Sequence, residues 1–171
     1  MSKGRKRIAA ALLTVSAAGF GTWMANEGFS SAPIIPTKGD VPTIGHGSTH
    51  YEDGTRVKMT DPPITRARAE QLARNLMSAD ERMFRASIQG VALHPEEYDV
   101  YMDFVGNFGI GNWRSSSMRR HLLNGEYEQA CHALLRWKYA AGYDCSTPGN
   151  KRCWGVWERQ LRRHAQCLSV Q

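Results

Sequence analysis

The 171-residue chain has no acidic residue before Glu27, no charge of either sign between Ile8 and Asn26, and no cysteine before Cys131. Each absence excludes something. With no thiol in the N-terminal half, no disulfide exchange can act there. With no Cys-x-x-Cys pair, the usual zinc and redox spacings are missing. The chain lacks internal repeats and a low-complexity tail, which excludes a solenoid. It is also too short for a barrel enzyme of the usual size and fits one domain with a short extension. A hydrophobic share of 42% beside 22% charged residues excludes both a disordered chain and a polytopic membrane protein.

Charge is present but unevenly placed. The formal net charge is +6, from 22 basic and 16 acidic residues. Four basic residues, Lys3, Arg5, Lys6 and Arg7, fall in the first seven positions and leave 18 basic against 16 acidic side chains elsewhere. The body is nearly neutral and carries no basic stripe interleaved with aromatics, so no nucleic-acid partner is expected.

The basic cluster and the uncharged run behind it read as an export element. At about 1.5 Å per residue, residues 8–26 are long enough to cross a bilayer, but they are rich in Ala, Gly, Ser and Thr and make a weak span. Three readings compete: a signal peptide cut near Ser16 to Gly19, a buried core helix, and an uncleaved weak anchor. The positive-inside rule puts Met1 in the cytoplasm and everything after Glu27 in the periplasm.

Cys131, Cys145, Cys153 and Cys167 form an even set downstream of that element, which predicts two disulfides made in an oxidising compartment. Three pairings are possible; a local Cys145–Cys153 link with Cys131–Cys167 joining two helices is favoured. A metal site using His132 or His164 is the weaker rival, and no cofactor is expected.

Along the body, five prolines and several glycines between Gly28 and Ile64 break any helix. Val41 to Ile44 and Arg56 to Met59 read as short strands. Thr65 can cap a helix running to about Ser87, and Pro95-Glu96-Glu97 open another that ends in the glycine block Gly106 to Asn112. Ser115 to Asn124, Glu126 to Ala140 and Trp154 to Cys167 read as further helices. The fold class is α+β with helix dominant.

Glu27-Gly28-Phe29 followed by Asp40-Val41-Pro42-Thr43-Ile44-Gly45-His46-Gly47 resembles the bacteriophage lysozyme family of muramidases. Phe104 to Ser116, Leu135 to Ala140 and Gly155 to Arg159 are similar to that family's later blocks, in the same order. The resemblance covers most of residues 27–167, and the anchor-like N-terminus points to the signal-arrest-release endolysin branch. It implies a lysozyme-like fold with a small hairpin sheet beside a helical bundle. Residues 1–26 would be a basic tip and weak transmembrane anchor, and 27–171 a muramidase domain.

The implied activity is hydrolysis of the β-1,4 bond between N-acetylmuramic acid and N-acetylglucosamine, causing host lysis. The implied partners are peptidoglycan glycan strands, the Sec export machinery, inner-membrane lipid and, functionally, a holin, with the protein monomeric. Glycoside hydrolysis needs a protonated carboxyl for the leaving oxygen and a second group for water or the oxocarbenium-like transition state. Glu27 suits the acid if burial beside Phe29 keeps it protonated. Thr43 suits a water holder, and Asp40 is the nearby second carboxylate. Relatives place that aspartate six positions before the threonine, where this chain has Thr37, so Asp40 must swing in from a shortened hairpin or be dispensable. Asn107, Phe108 and Trp113 match positions along the family's saccharide groove, and His46 is a further contact candidate. Arg159, Arg162 and Arg163 read either as a solvated stripe or as a contact for anionic peptide stems. A lytic transglycosylase using Glu27 alone, and a non-enzymatic anchored peptidoglycan-binding protein, are the competing functions.

Overall fold

The computed structural model describes residues 5–171, so Met1 and Lys3 lie outside the described residues. The described chain forms two compact units, residues 16–83 and residues 5–15 together with 84–171.

In the first unit, Ser16 accepts a hydrogen bond from the Gly19 amide at 3.0 Å and starts α1 (Ala17–Glu27), which Gly28 closes by donating its amide to the Met24 carbonyl. Phe20 and Trp23, three residues apart on one face, are the buried pair of this helix. The hairpin that follows pairs β2 (Ser30–Ile34) antiparallel with β3 (Thr43–Gly45), with a register shift between the Ser30 and Ile34 ends. The expected strand at Arg56 to Met59 is reduced to an isolated bridge between His50 and Arg56, with Val57 buried. Its neighbours are polar turns such as the one Asp61 makes with the Lys58 amide, which leave no partner strand to extend. Thr65 caps α2 (Arg66–Ser87) as the sequence predicts, accepting from the Arg68 amide at 3.1 Å. Ile44, Val57 and Leu72 form the core under Tyr51 and Ile64. Gly45 is required there: its φ is +67°, and a Cβ would lie 2.9 Å from the Ala69 Cβ, so the hairpin backbone lies directly against the helix at Ala69.

In the second unit, β1 (Ile8–Ala9) pairs antiparallel with β4 (Ala92–Leu93), and a 3-10 turn over Ala10–Leu12 follows it. α3 (Pro95–Phe108) begins on a capping box between His94 and Glu97. The glycine block acts as a joint, since Gly109 both ends α3 and starts α4 (Ile110–Ser115). Ser116 caps α5 (Ser117–Leu123), and α6 (Tyr127–Ala133) follows. The helix expected over 126–140 stops at Ala133, passes through a 3-10 turn and becomes a hairpin of β5 (Tyr139–Ala140) and β6 (Tyr143–Asp144). Ala141 and Gly142, both with positive φ, turn that hairpin, a conformation no helix contains. α7 (Trp154–Leu168) packs against α3 and α6. Phe84, Tyr98, Tyr101, Phe104 and Trp113 fill the centre with ring centroids 4.9 to 6.3 Å apart.

Both favoured disulfides are present. Cys131–Cys167 joins α6 to α7 and Cys145–Cys153 closes the loop before α7. The oxidised pairs remove these thiols as ligands for the rival metal site at His132 and His164.

Among the described residues no helix is long and apolar enough to cross a membrane. Residues 8–26, expected as one weak span, are divided into a strand, a turn and an 11-residue helix. At 1.5 Å per residue that helix is about 16 Å long, half of a bilayer's ~30 Å hydrocarbon core. The division follows from what each piece meets: Ile8 and Ala9 find a strand partner, and Ser16 offers a cap that restarts the chain.

Candidate active site

The acidic candidate comes from the last residue of α1. Glu27 precedes the Gly28 cap, and the turn after β3 folds back over this helix end. His46 Nδ1 pairs with the Gly28 carbonyl, and its ring lies 5.7 Å from that of Phe29. Gly47 then faces the acid. Its φ is +82°, and a Cβ there would stand 3.3 Å from the Glu27 Oε2. A side chain at Gly47 would crowd the carboxyl, so this glycine keeps the space before it open. The sequence motif contains Gly47 but assigns it no role; the structure gives it one, beside the acid.

Glu27 itself is exposed, and Phe29 only half-buried. The expected burial of the acid is therefore corrected: Glu27 ends a helix, and the residue of the turn that stands before its carboxyl is a glycine, which does not enclose it. The Arg66 guanidinium stacks 4.3 Å over the Phe29 ring and braces the segment that follows the acid.

Thr43 opens β3, half-buried, and its hydroxyl donates to the Ile34 carbonyl across the hairpin at 3.5 Å. With its hydrogen committed, the oxygen's lone pairs are left to accept from a water. Asp40 lies in the exposed turn of the same hairpin, where its amide donates to the Thr37 carbonyl at 2.9 Å. The turn thus links Asp40 to the position at which the resemblance expected an aspartate.

The remaining candidates belong to the other unit. Asn107 is exposed, with its Oδ1 3.4 Å from two nitrogens of Arg163. Phe108 is half-buried, its ring 4.7 Å from Phe104 and 5.3 Å from Trp137. Trp113 is 0% exposed and donates its indole N–H to Ser87 Oγ at 2.8 Å. This corrects its reading as a saccharide contact: with both faces packed among aromatic rings, it has no surface to offer a sugar. The basic stripe divides likewise. Arg163 is buried and ion-paired with Asp103 at 2.6 Å, a structural role, while Arg162 is exposed. Sequence reasoning also missed a cavity of about 380 Å³ lined by Ser115 to Ser117, Arg136, Trp137 and Tyr139. Hydroxyls, a guanidinium and aromatic rings together suit a polar, ring-shaped ligand.

A family model described as phage lysozyme matches residues 24–161. The chain belongs to the phage lysozyme family. A SAR-endolysin of Enterobacteria phage PA-2 is 29% identical over 119 residues, 68% of each chain. A SAR-endolysin of Enterobacteria phage P21 is 28% identical over the same shares. Among solved structures, a point mutant of phage P22 lysozyme superposes with a TM-score of 0.75 at 25% identity, covering 92% of this chain and 99% of its own. Phage lysozyme membership implies a muramidase-type glycoside hydrolase with peptidoglycan as substrate.

Proposed function

We propose that this phage lysozyme is an endolysin that hydrolyses the β-1,4 bond between N-acetylmuramic acid and N-acetylglucosamine, with Glu27 as the general acid. The observation that carries this reading is the turn that places Gly47 against the Glu27 carboxyl and leaves room before it. A glycan lying there covers an acid that is exposed in the free protein, from which the leaving oxygen takes its proton. Thr43 holds the attacking water, and Asp40 is the second carboxylate acting on the developing positive charge.

Replacing Glu27 by Gln keeps the shape and removes the proton. The Glu27→Gln protein should clear peptidoglycan suspensions at least ~10³-fold more slowly than wild type, with unchanged thermal stability. Equal clearing would overturn this role. A product carrying a reducing end marks hydrolysis, and a cyclised anhydro sugar would replace this reading by a transglycosylase.

Export and timing belong to the same proposal. Residues 8–26 hold the newly exported chain weakly in the inner membrane, N-terminus inward, as an arrest that ends in release to the periplasm. The absence of charge in that run supports this, as does similarity to proteins named SAR-endolysins. The folded form requires the segment elsewhere, as β1, the turn and α1. Replacing several of its Gly, Ala and Ser residues with Leu should keep the protein in the membrane fraction and abolish lysis.

A further inference from the structure

Three guanidinium groups of the C-terminal unit meet an acid. Arg5 pairs with Glu96, Arg7 with Glu97 and Arg163 with Asp103. Arg152 and Arg159 have no carboxylate partner among the described residues, and both line one surface cavity of about 460 Å³. Arg152 stacks on Tyr143, its guanidinium 4.6 Å from the ring centroid, and donates to that phenol's oxygen. Arg159 Nε is buried without a hydrogen-bond partner. No aspartate or glutamate lines the cavity; the other walls include Ala141, Cys153 and Val156.

The surroundings are built to keep this shape. The Cys145–Cys153 disulfide ties the end of the β5–β6 hairpin to the start of α7, so these walls cannot spread. Ala141, at the hairpin turn, has a φ of +49°, the one positive φ at a non-glycine position among the described residues. Its backbone strain is held at the cavity wall. The exposed Arg152 and the buried, unpartnered Arg159 Nε put two positive charges on an acid-free cavity, and the buried N–H lacks a partner until an acceptor joins it. A planar carboxylate is the anion that guanidinium forks hold best, and the alkyl walls suit the short stem that carries it.

We propose that this cavity binds a free carboxylate of the acidic peptides that hang from the glycan, holding the wall at a point separate from bond cleavage. The assignment rests on the peptidoglycan reading above.

Calorimetry on the full chain at low salt tests it, with N-acetyl-alanyl-glutamyl-alanine as the probe. Wild type should bind saturably, and the same peptide with both carboxyls amidated should not. The Arg152→Met/Arg159→Met double variant should lose at least tenfold in affinity. So should Gly155→Leu, which fills open space at the cavity rim, where a Cβ meets nothing within 4 Å. On peptide-bearing peptidoglycan the double variant should raise KM and leave kcat unchanged, and on glycan strands stripped of peptide it should match wild type. No saturable binding, unchanged affinity in both variants, or inorganic phosphate binding as tightly as the peptide would each overturn the site. Binding is read without turnover. Arginine-dependent binding in a protein that cleaves no glycan therefore defeats the muramidase reading alone, and intact cleavage without binding defeats this site alone.

Discussion

The Arg7 guanidinium grips both carboxylate oxygens of Glu97, Nε to Oε2 at 3.0 Å and Nη2 to Oε1 at 3.1 Å, across 90 residues of sequence. Glu97 is 0% exposed, and its other contacts are the His94 amide and the Gln171 side chain. Arg7 also stacks over Tyr127, 3.7 Å from the ring centroid. A residue of the N-terminal basic cluster is thus the counter-charge of a buried acid once the chain is folded.

Removing Arg7 strands that carboxylate. Arg7→Met should cost about 2–3 kcal/mol, below the usual 3–5 because the arginine is partly solvated. Adding Glu97→Gln should recover most of the loss. Thermal melts of the single and double variants check this, and an unrecovered double variant would show that packing, not charge, holds the N-terminus down.

Asp40 and Thr43 are separable by mutation. Thr43→Val keeps the strand shape and removes the hydroxyl; it should lower kcat by about 10²-fold or more with little change in KM. Asp40→Asn should lower kcat similarly if the exposed turn brings its carboxylate to bound glycan. Full activity in Asp40→Asn, measured on isolated glycan strands, would leave Thr43 directing the water alone.

Asp80 gives a pH signature unconnected with catalysis. Burial without a compensating charge pushes its pKa up to about 6 from 3.8. Because the folded pKa lies above the unfolded one, the folded state holds the proton more tightly. Stability is therefore lost as pH rises from about 4 through 6 and is not regained above. Half-burial screens part of the penalty, leaving about 1 kcal/mol. Asp80→Asn should raise Tm by ~2–4 °C at pH 7.5 and leave it unchanged at pH 4.

The two disulfides should differ in weight. Cys131–Cys167 closes 36 residues and Cys145–Cys153 closes 8. Chain entropy alone assigns them about 3.8 and 2.5 kcal/mol. Paired Cys→Ala variants, compared in urea, should lower the midpoint more for the long loop. The reverse order would mean that the short loop stabilises mainly by shaping the wall of α7.

Much of this was legible in the chain. Thr65 and Pro95 announced their helices because caps are local chemistry, and the motif around Glu27 and Thr43 marked a hairpin beside a helix end. The helix expected through Ala140 failed because its hydrophobic spacing continues past Ala133, while the Ala141-Gly142 turn that decides the hairpin lies beyond it. Burial was read least well. Trp113 sits in a glycine-rich block whose residues suggest a surface, but long-range packing against Phe84 and Tyr101 encloses it. Glu27 erred the other way, since only the folded turn reveals that a glycine, not a side chain, stands before it.

Under the arrest and release proposed above, residues 8–26 obey two sets of demands at once. In the fold, Ala10, Leu13, Phe20 and Trp23 point inward while Leu12 is 78% exposed. At outward positions such as Leu12, a greasier substitution that would lengthen the proposed residence in lipid also places more aliphatic surface in water afterwards, and a polar one would shorten the delay. On the proposed arrest and release, the moment of lysis and the solubility of the released enzyme are therefore written in the same nineteen positions. A mutation selected for one will be visible in the other.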